Sequence, residues 1–148
     1  MAKVDLSVIV PSRNEMFLTH TIKDLLKNMR GNTEIIVGLD GNWPEVPIED
    51  HPKVHIIHHA KSIGQRAICN EAAMISRAKY LMKVDAHCSF DEGFDVKLMA
   101  DMQDNWTMVP IMKNFHIFDW VCKKCGDRRY QGPTPTSCPK CENTTDFV

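Results

Sequence analysis

The sequence predicts an α/β fold: a mostly parallel sheet with helices on both faces, followed by a small zinc-binding appendage. Strand and helix patterns alternate through residue 112, which favours parallel strands joined by helical crossovers. Four of the six cysteines form two CxxC pairs near the end of the chain, the spacing of a structural zinc site. A chain of 148 residues has room for one compact domain and one small appendage.

The composition excludes several classes of protein. Hydrophobic residues make up 43% and charged residues 25%, as in ordinary globular proteins. The net charge of -1 argues against a protein that coats nucleic acid or acidic lipid through its overall charge. No apolar run approaches the roughly 20 residues needed to span a bilayer, and Lys3 and Asp5 interrupt any amino-terminal signal peptide. We therefore expect a cytoplasmic protein.

The first half of the chain contains three predicted strands and one helix. Residues 4–10 are rich in β-branched side chains and predict a buried strand that ends at Pro11. Residues 34–39 and 54–58 predict the second and third strands, and Asp40-Gly41-Asn42 is a turn cluster after the second. A helical stripe that stops at Gly31 separates the first two strands and contains Leu18, Ile22, Leu25, Leu26 and Met29.

The pattern continues with two further helices and strands. An Ala-rich segment over residues 62–78 predicts a second helix whose inward residues are Ile68, Ala72 and Ile75. Residues 80–84 predict a fourth strand, 92–104 a third helix and 107–112 a fifth strand. Polar clusters follow three strands, at residues 11–15, 40–42 and 85–87. Since the carboxyl ends of parallel strands share one edge, where such folds bind ligands, these clusters predict a polar ligand site there.

The paired cysteines predict a structural zinc ribbon. Two CxxC pairs separated by twelve residues can bring four thiolates to one tetrahedral Zn²⁺, and they leave no coordination position for a substrate. The segment is too short for a hydrophobic core, so the metal must supply most of its folding energy. Disulfides are the alternative, but they require an export signal. The four predicted ligands are Cys122, Cys125, Cys138 and Cys141, while Cys69 and Cys88 are expected to be thiols of the core or near the site.

The predicted ribbon is also basic. Residues 121–141 contain one acidic residue, Asp127, and five basic ones: Lys123, Lys124, Arg128, Arg129 and Lys140. A solvated scaffold and a surface that contacts nucleic acid both fit this composition. Nucleic acid is therefore one candidate partner of the ribbon.

A second metal motif follows the fourth predicted strand. Asp85 and His87 are two residues apart at a strand end, so their side chains should project to the same side. One carboxylate oxygen and one imidazole nitrogen suit an ion such as Mn²⁺, and a metal with so few protein ligands can bridge a diphosphate and neutralise it as it leaves. The alternative for such a short motif is a capping Asp beside a hydrogen-bonded core His.

Three segments together resemble the nucleotide-sugar half of family 2 glycosyltransferases with the GT-A fold. Residues 62–70 and 78–85 resemble the part of that family in which an Asn on a helix precedes the metal-binding Asp by fifteen residues, as Asn70 precedes Asp85. Residues 7–15, SVIVPSRNE, are similar to the first strand and nucleotide-contacting loop. Asp85-Ala-His-Cys88 is similar to the DxH variant of polypeptide N-acetylgalactosaminyltransferases. The resemblance covers about residues 5–112.

The resemblance implies a metal-dependent transferase that uses a nucleotide-sugar donor, with a UDP-sugar expected. It implies that Asp85 and His87 hold Mn²⁺ or Mg²⁺. It assigns to the nucleotide-sugar site Pro11, Ser12, Arg13, Asn14, Glu15, Asp40, Gly64 and Arg66. Asp40 would contact the uracil or ribose, and the alternative for it is a turn-forming Asp before Gly41.

The expected division is a nucleotide-sugar-binding GT-A-like domain over residues 1–120 and the ribbon over residues 121–148. Members of the family usually continue further, into a half that supplies the acceptor surface and the catalytic base. The chain is therefore expected to be the donor-binding part, with the acceptor and the base unassigned; His116 and Asp119 are candidates for ligand or base, and the alternative for them is an ordinary strand. The alternatives are a nucleotidyltransferase-like enzyme and a non-catalytic nucleotide- or nucleic-acid-binding module that uses the ribbon.

Overall fold

The computed structural model describes residues 4–113, 119–130 and 135–144. The chain separates into two compact units, residues 1–108 and residues 109–148. The predicted division after residue 120 stays a prediction. In the described ranges, every helix is too short or too polar to cross a membrane.

The first unit is built on four parallel strands: β1 (Leu6–Ser12), β2 (Thr33–Asp40), β3 (Val54–His59) and β4 (Tyr80–Lys83). Their order in the sheet is β3-β2-β1-β4. The helices of this unit are α1 (Leu18–Asn28), α2 (Gln65–Ile75) and α3 (Phe94–Asp101). The predicted α/β fold with a mostly parallel sheet is confirmed.

Apolar side chains cover both faces of the sheet because β1 and β2 are almost continuous apolar runs. The larger core cluster combines alternate residues of both strands with α1 and α3. The predicted stripe lies in this cluster: Leu18, Ile22 and Leu25 of α1 and Met29 directly after it are buried, and Leu26 is partly buried. The opposite face carries a smaller cluster in which Ile9 and Ile36 meet Ala72 of α2.

The helix α2 approaches the sheet unusually closely at Gly38. A Cβ atom at this position would lie 2.4 Å from Cγ1 of Ile68, which is completely buried. Real Cβ atoms do not approach another carbon this closely, so any larger residue would force Ile68 or the helix to shift. The absence of a side chain on β2 therefore sets the distance between α2 and the sheet.

A buried carboxylate attaches α3 to the turn between α1 and β2. Asp95, in the first turn of α3, accepts hydrogen bonds from the N–H of Arg30 at 3.0 Å, the N–H of Gly31 at 2.8 Å and the hydroxyl of Thr33 at 2.7 Å. Burial alone would raise the pKa of Asp95, but these donors together hold it below its usual range. Asp95 is fully buried, so we assign it a structural role.

Three details of the predicted elements were wrong. The strand β1 does not end at Pro11 but continues to Ser12. The carbonyl of Ile9 points toward β4, where it accepts from Val84 N–H. Pro11 is two residues after Ile9, so its backbone is directed to the same side. The strand β4 has already ended at this point, and no partner there needs the N–H that proline lacks.

The other two errors concern apolar residues. Residues 107–112 form no strand, and Val109 and Ile111 are 81% and 93% exposed. Ile75 is 54% exposed rather than inward, because α2 ends at this residue and its chain turns to extended backbone at Ser76. An apolar run predicts burial only where another element is available to cover it.

The second unit contains a two-stranded antiparallel ribbon, β5 (Asp119–Val121) and β6 (Arg128–Tyr130). Trp120 pairs with Arg129 in its centre. The paired strands lead into and out of the first CxxC pair, so this hairpin fixes the direction from which Cys122 and Cys125 enter their cluster.

Candidate functional site

A cleft of about 300 Å³ opens at the carboxyl edge of the sheet. The cleft is lined by Pro11, Ser12, Arg13, Glu15, Asp40, Gly64, Gln65 and Ile68. Six of these belong to the eight residues that the sequence assigned to the nucleotide-sugar. Asn14 and Arg66 are exposed residues outside the lining set.

Sequence reasoning missed Gln65 and Ile68. Both follow Gly64 in the first two turns of α2, and the prediction that the helix began at Ser62 concealed this. A glycine directly before an amphipathic helix could have indicated these two residues, because ligands often bind at a helix amino terminus that a glycine leaves open.

Asp40 organises one wall of the cleft. Its carboxylate accepts hydrogen bonds from the hydroxyl of Ser62 at 2.7 Å, the N–H of Ile63 at 2.6 Å and the N–H of Gly64 at 3.0 Å. Burial alone would raise the pKa of Asp40, but these bonds and the charge of Arg13 hold it below its usual range. Asp40 is therefore an ionised carboxylate that ties the loop before α2 to the end of β2.

Gly64 gives α2 its position at the cleft. Its φ of 92° and ψ of 150° lie in a region that residues with a Cβ rarely adopt. This conformation lets the loop that Asp40 holds turn directly into the helix. Gly64 and Gln65 line the cleft, so the positive end of the α2 dipole lies there and favours an anion.

The segment after β4 leaves Asp85 and His87 accessible while it buries the residue between them. Ala86 between them is 2% exposed and belongs to the main core, whereas the side chains of Asp85 and His87 are about half exposed. Asp85 forms an ion pair with Lys83, and His87 Nδ1 lies 3.4 Å from Glu15 Oε2. Glu15 also lines the cleft, so it connects the cleft to the Asp85–His87 pair.

These two side chains fit a divalent ion of intermediate hardness. They offer one carboxylate oxygen and one imidazole nitrogen on side chains that are about half exposed. The ammonium group of Lys83 pairs with Asp85, so a metal ion at this carboxylate would have to displace it. The arrangement could hold Mn²⁺ or Mg²⁺ and leave positions free for substrate oxygens.

The second unit brings together the four predicted zinc ligands. The Sγ atoms of Cys122, Cys125, Cys138 and Cys141 all lie within 4.8 Å of one another. Cys122 is 3.7 Å from Cys141, and Cys125 is 3.6 Å from Cys138. Four sulfurs about 2.3 Å from a tetrahedral Zn²⁺ lie about 3.8 Å apart, so the cluster has the dimensions of a zinc site.

The two CxxC pairs have the same backbone arrangement. The N–H of Gly126 donates to the carbonyl of Cys122, and the N–H of Glu142 donates to the carbonyl of Cys138, both at 2.8 Å. Gly126 and Glu142 follow their second cysteine directly and have left-handed φ values of 71° and 55°. Glycine adopts such a φ readily, whereas Glu142 adopts it with a Cβ atom.

The thiols of the cluster differ in acidity. Burial would raise the pKa of Cys122, but N–H groups of the turn and neighbouring sulfurs lower it to about 6. An N–H from Asp127 would lower the pKa of Cys125, but burial and the neighbouring sulfurs raise it to about 12. One thiolate suppresses ionisation of the next, so four thiolates together require a bound cation.

The remaining predicted residues are placed as follows. Asp119, in β5, forms an ion pair of 3.7 Å with Arg128, and His116 lies outside the described residues.

All five basic residues of the ribbon are exposed, as both a scaffold and a nucleic-acid surface would require. Burial raises the pKa of both Cys69 and Cys88, which agrees with inert thiols rather than metal ligands.

Comparisons with known proteins agree with this geometry. Residues 7–121 match the family model described as glycosyl transferase family 2. Among solved structures, the crystal structure of S. aureus TarS 1-349 matches with a TM-score of 0.52 and 17% identity, over 80% of this chain. The chain spans 41% of the length of that structure. No curated protein sequence matches the chain. The family match spans more than half of the 148 residues, and the chain therefore belongs to glycosyl transferase family 2.

Proposed function

We propose that this chain is the donor-binding part of a metal-dependent glycosyltransferase that uses a nucleotide-sugar, with UDP as the nucleotide. The observation that carries the proposal is the position of Glu15, which lines the cleft and lies 3.4 Å from His87. The cleft and the side chains proposed to hold a divalent ion are therefore neighbours, and we propose that the phosphates of a bound nucleotide point toward the ion.

The cleft supplies distinct groups to the two parts of a nucleotide. The buried side chains of Pro11 and Ile68 make the floor of the cleft apolar, and the amino end of α2 at Gly64 faces the phosphates with its positive dipole. The guanidinium of Arg13 can pair with a phosphate. We propose that Ser12 and Asp40 contact the nucleoside, and that Asn14 and Arg66 reach it from the exposed rim.

Asp40 has few hydrogen-bond acceptor positions left for a ligand. Three of its acceptor positions are already used by the loop before α2, and two carboxylate oxygens offer about four. We propose that its remaining position contacts the nucleoside and that its main effect is to hold Gly64 in place.

Asp85 and His87 are the proposed ligands of Mn²⁺ or Mg²⁺. When bound, the ion neutralises the charge that develops on the departing diphosphate. Asp85 would exchange its ion pair with Lys83 for the metal, and the released ammonium could then face a phosphate. Glu15 would hold the imidazole of His87 through Nδ1 and leave Nε2 available.

Calorimetry of UDP binding tests the proposal. We expect Mn²⁺ to tighten UDP binding to the wild-type chain, and Asp85→Ala to abolish the effect of Mn²⁺. Asp91→Ala is the matched control, since Asp91 is an exposed carboxylate paired with Lys97 outside the cleft. UDP binding that is independent of Mn²⁺, and unchanged by Asp85→Ala, would refute the proposal.

For the second unit we propose one structural Zn²⁺ held by the four cysteines. The sulfur separations of 3.6 and 3.7 Å support this ion, and the small unit depends on the metal for its stability. Elemental analysis should give one zinc per chain. Cys122→Ser should lose the zinc and Cys69→Ser should retain it; a metal-free chain whose ribbon stays folded would contradict the assignment.

We propose no residue of this chain as the catalytic base and no acceptor. Asp119 is engaged with Arg128, and we do not assign it the role of base. The direct assay is hydrolysis of UDP-sugars by this chain, which should be slow compared with transfer by a complete enzyme. Rapid pyrophosphate release from a nucleoside triphosphate would instead indicate a nucleotidyltransferase.

A further inference from the structure

The loop that follows β4 is attached to α1 at two positions. The hydroxyl of Thr21 accepts from the N–H of Cys88 at 3.0 Å and donates to the carbonyl of Cys88 at 3.1 Å. One turn further along α1, the Oδ2 atom of Asp24 accepts from the N–H of Phe90 at 2.6 Å. Side chains of the helix thus replace the backbone partners that this loop loses when it leaves the sheet.

These attachments occur at alternate residues of the loop. The N–H of Val84 donates to the carbonyl of Ile9 at 3.0 Å, and Ala86 is buried in the main core at 2% exposure. With Cys88 and Phe90 held by α1, every even-numbered residue from 84 to 90 is fixed to the protein. The odd-numbered Asp85 and His87 lie between fixed points and face outward.

Thr21 is rigidly placed for this role. Its relative exposure is 1%, and its neighbour Ile22 and the nearby Leu25 belong to the main core. A hydroxyl in this environment has no water to replace the partners it would lose. The backbone of the loop is therefore set before any ion arrives.

We propose that Thr21 and Asp24 are positioning residues for the divalent metal, acting through the backbone of the loop that carries Asp85 and His87. The inference rests on the proposed metal site and goes beyond it, since neither residue touches the ion or the nucleotide. Two ligands held at a set separation lose less freedom when they bind an ion. Removal of partners that hydrogen-bond a metal ligand directly changes metal affinity by about 10- to 100-fold, and we expect the lower end of this range for residues that act through the loop backbone.

The test uses paired substitutions in the full chain. Thr21→Val keeps the shape and removes both hydrogen bonds, whereas Thr21→Ser keeps the hydroxyl. Affinity for Mn²⁺ is measured from the loss of the free-ion signal in electron paramagnetic resonance. UDP affinity is measured by calorimetry in a chelator, where the metal plays no part.

We expect Thr21→Val to weaken Mn²⁺ binding about 10-fold or more, and Thr21→Ser to restore it to within about 3-fold of wild type. Metal-free UDP affinity should be the same in all three proteins. If Thr21→Val does not fold, Asp24→Ala and Asp24→Asn carry the same comparison, because the amide oxygen of Asn can still accept from Phe90 N–H.

The outcomes separate this inference from the proposed function. A wild-type chain that binds no Mn²⁺ refutes the metal-dependent function itself. A wild-type chain that binds Mn²⁺, together with a Thr21→Val variant that binds it equally well, refutes the positioning role alone. Equal losses of Mn²⁺ and metal-free UDP affinity would also refute it, since they indicate general loosening of the fold.

Discussion

Replacing Gly38 by alanine adds one methyl group at the point where α2 lies nearest the sheet. The new Cβ would stand 2.4 Å from Cγ1 of Ile68, whereas carbon atoms in contact are about 3.5–4.0 Å apart. The helix must therefore retreat by about 1.1–1.6 Å, or Ile68 must leave its rotamer. Overpacking of this kind costs about 1–3 kcal/mol.

A smaller effect opposes this cost. Gly38 lies in β2 and has no left-handed φ, so alanine can adopt its backbone conformation. The lower conformational freedom of the unfolded alanine chain contributes about 0.4–1 kcal/mol in favour of folding. We expect Gly38→Ala to lower the free energy of unfolding by about 1–2 kcal/mol net.

Urea denaturation of a double-mutant cycle measures the effect. Ile68→Ala removes the atom in conflict and alone should cost about 2–5 kcal/mol. In the double variant, the methyl group of residue 38 fills part of the space that Ile68 leaves. The double variant should therefore be more stable than the sum of the single changes by about 1 kcal/mol or more. Ile68 lines the cleft, so UDP affinity should fall in Gly38→Ala as well.

Two results would refute this reasoning. One is a Gly38→Ala variant as stable as wild type or more stable. The other is a cycle in which the two changes add within about 0.5 kcal/mol, the range expected for independent sites. Either would mean that α2 and β2 do not approach each other as closely as the contact between Gly38 and Ile68 requires.

Three further predictions concern the buried carboxylate and the turns of the zinc unit. Asp95→Asn should lower the free energy of unfolding by about 2–4 kcal/mol in urea denaturation, because an amide nitrogen cannot accept from the donors that face it; an unchanged midpoint would contradict this. The native pKa of Asp95 is lowered from 3.8, so the unfolded state takes up the proton first. The stability that Asp95 contributes should be complete above about pH 5 and decline as the pH falls through 3.8 toward the native pKa. In Asp95→Asn, the free energy of unfolding should change less with pH below about pH 5. The same acid dependence in both proteins would exclude Asp95 as its source. In the zinc unit, Gly126→Ala should weaken zinc binding by about 1 kcal/mol or fivefold in a chelator competition, because its φ is left-handed. Glu142→Gly should leave zinc affinity equal or higher, and a loss there equal to that of Gly126→Ala would rule out backbone strain as the cause.

Much of the fold could be predicted because its signals are local. Residues 4–10 and 34–39 are short apolar runs rich in β-branched side chains, which suit strands buried on both faces. The stripe on and just after α1 repeats at the helical period, and four of its five members are buried. The cysteine spacing likewise predicted a cluster whose sulfurs lie within 4.8 Å.

The sequence-based predictions were wrong where contacts with distant segments decided the structure. Residues 107–112 are as apolar as a strand, yet their side chains are largely exposed. Pro11 would end most strands, but β1 tolerates it because β4 stops two residues earlier in register. Thr21 carried no signal at all, since its partner Cys88 is 67 residues away in the sequence.

Three aspartates illustrate the division most clearly. Local patterns were enough to predict that Asp40 and Asp85 follow strands and that Asp95 lies near the start of a helix, because the flanking periodicity sets those boundaries. The surroundings of each carboxylate depend on distant segments: Asp95 is enclosed by donors from the turn after α1, and Asp40 is mostly occupied by the loop before α2. Asp85 stays half exposed beside Lys83. A carboxylate holds the fold or binds a ligand according to the donors around it, and those donors come from segments that no local pattern connects.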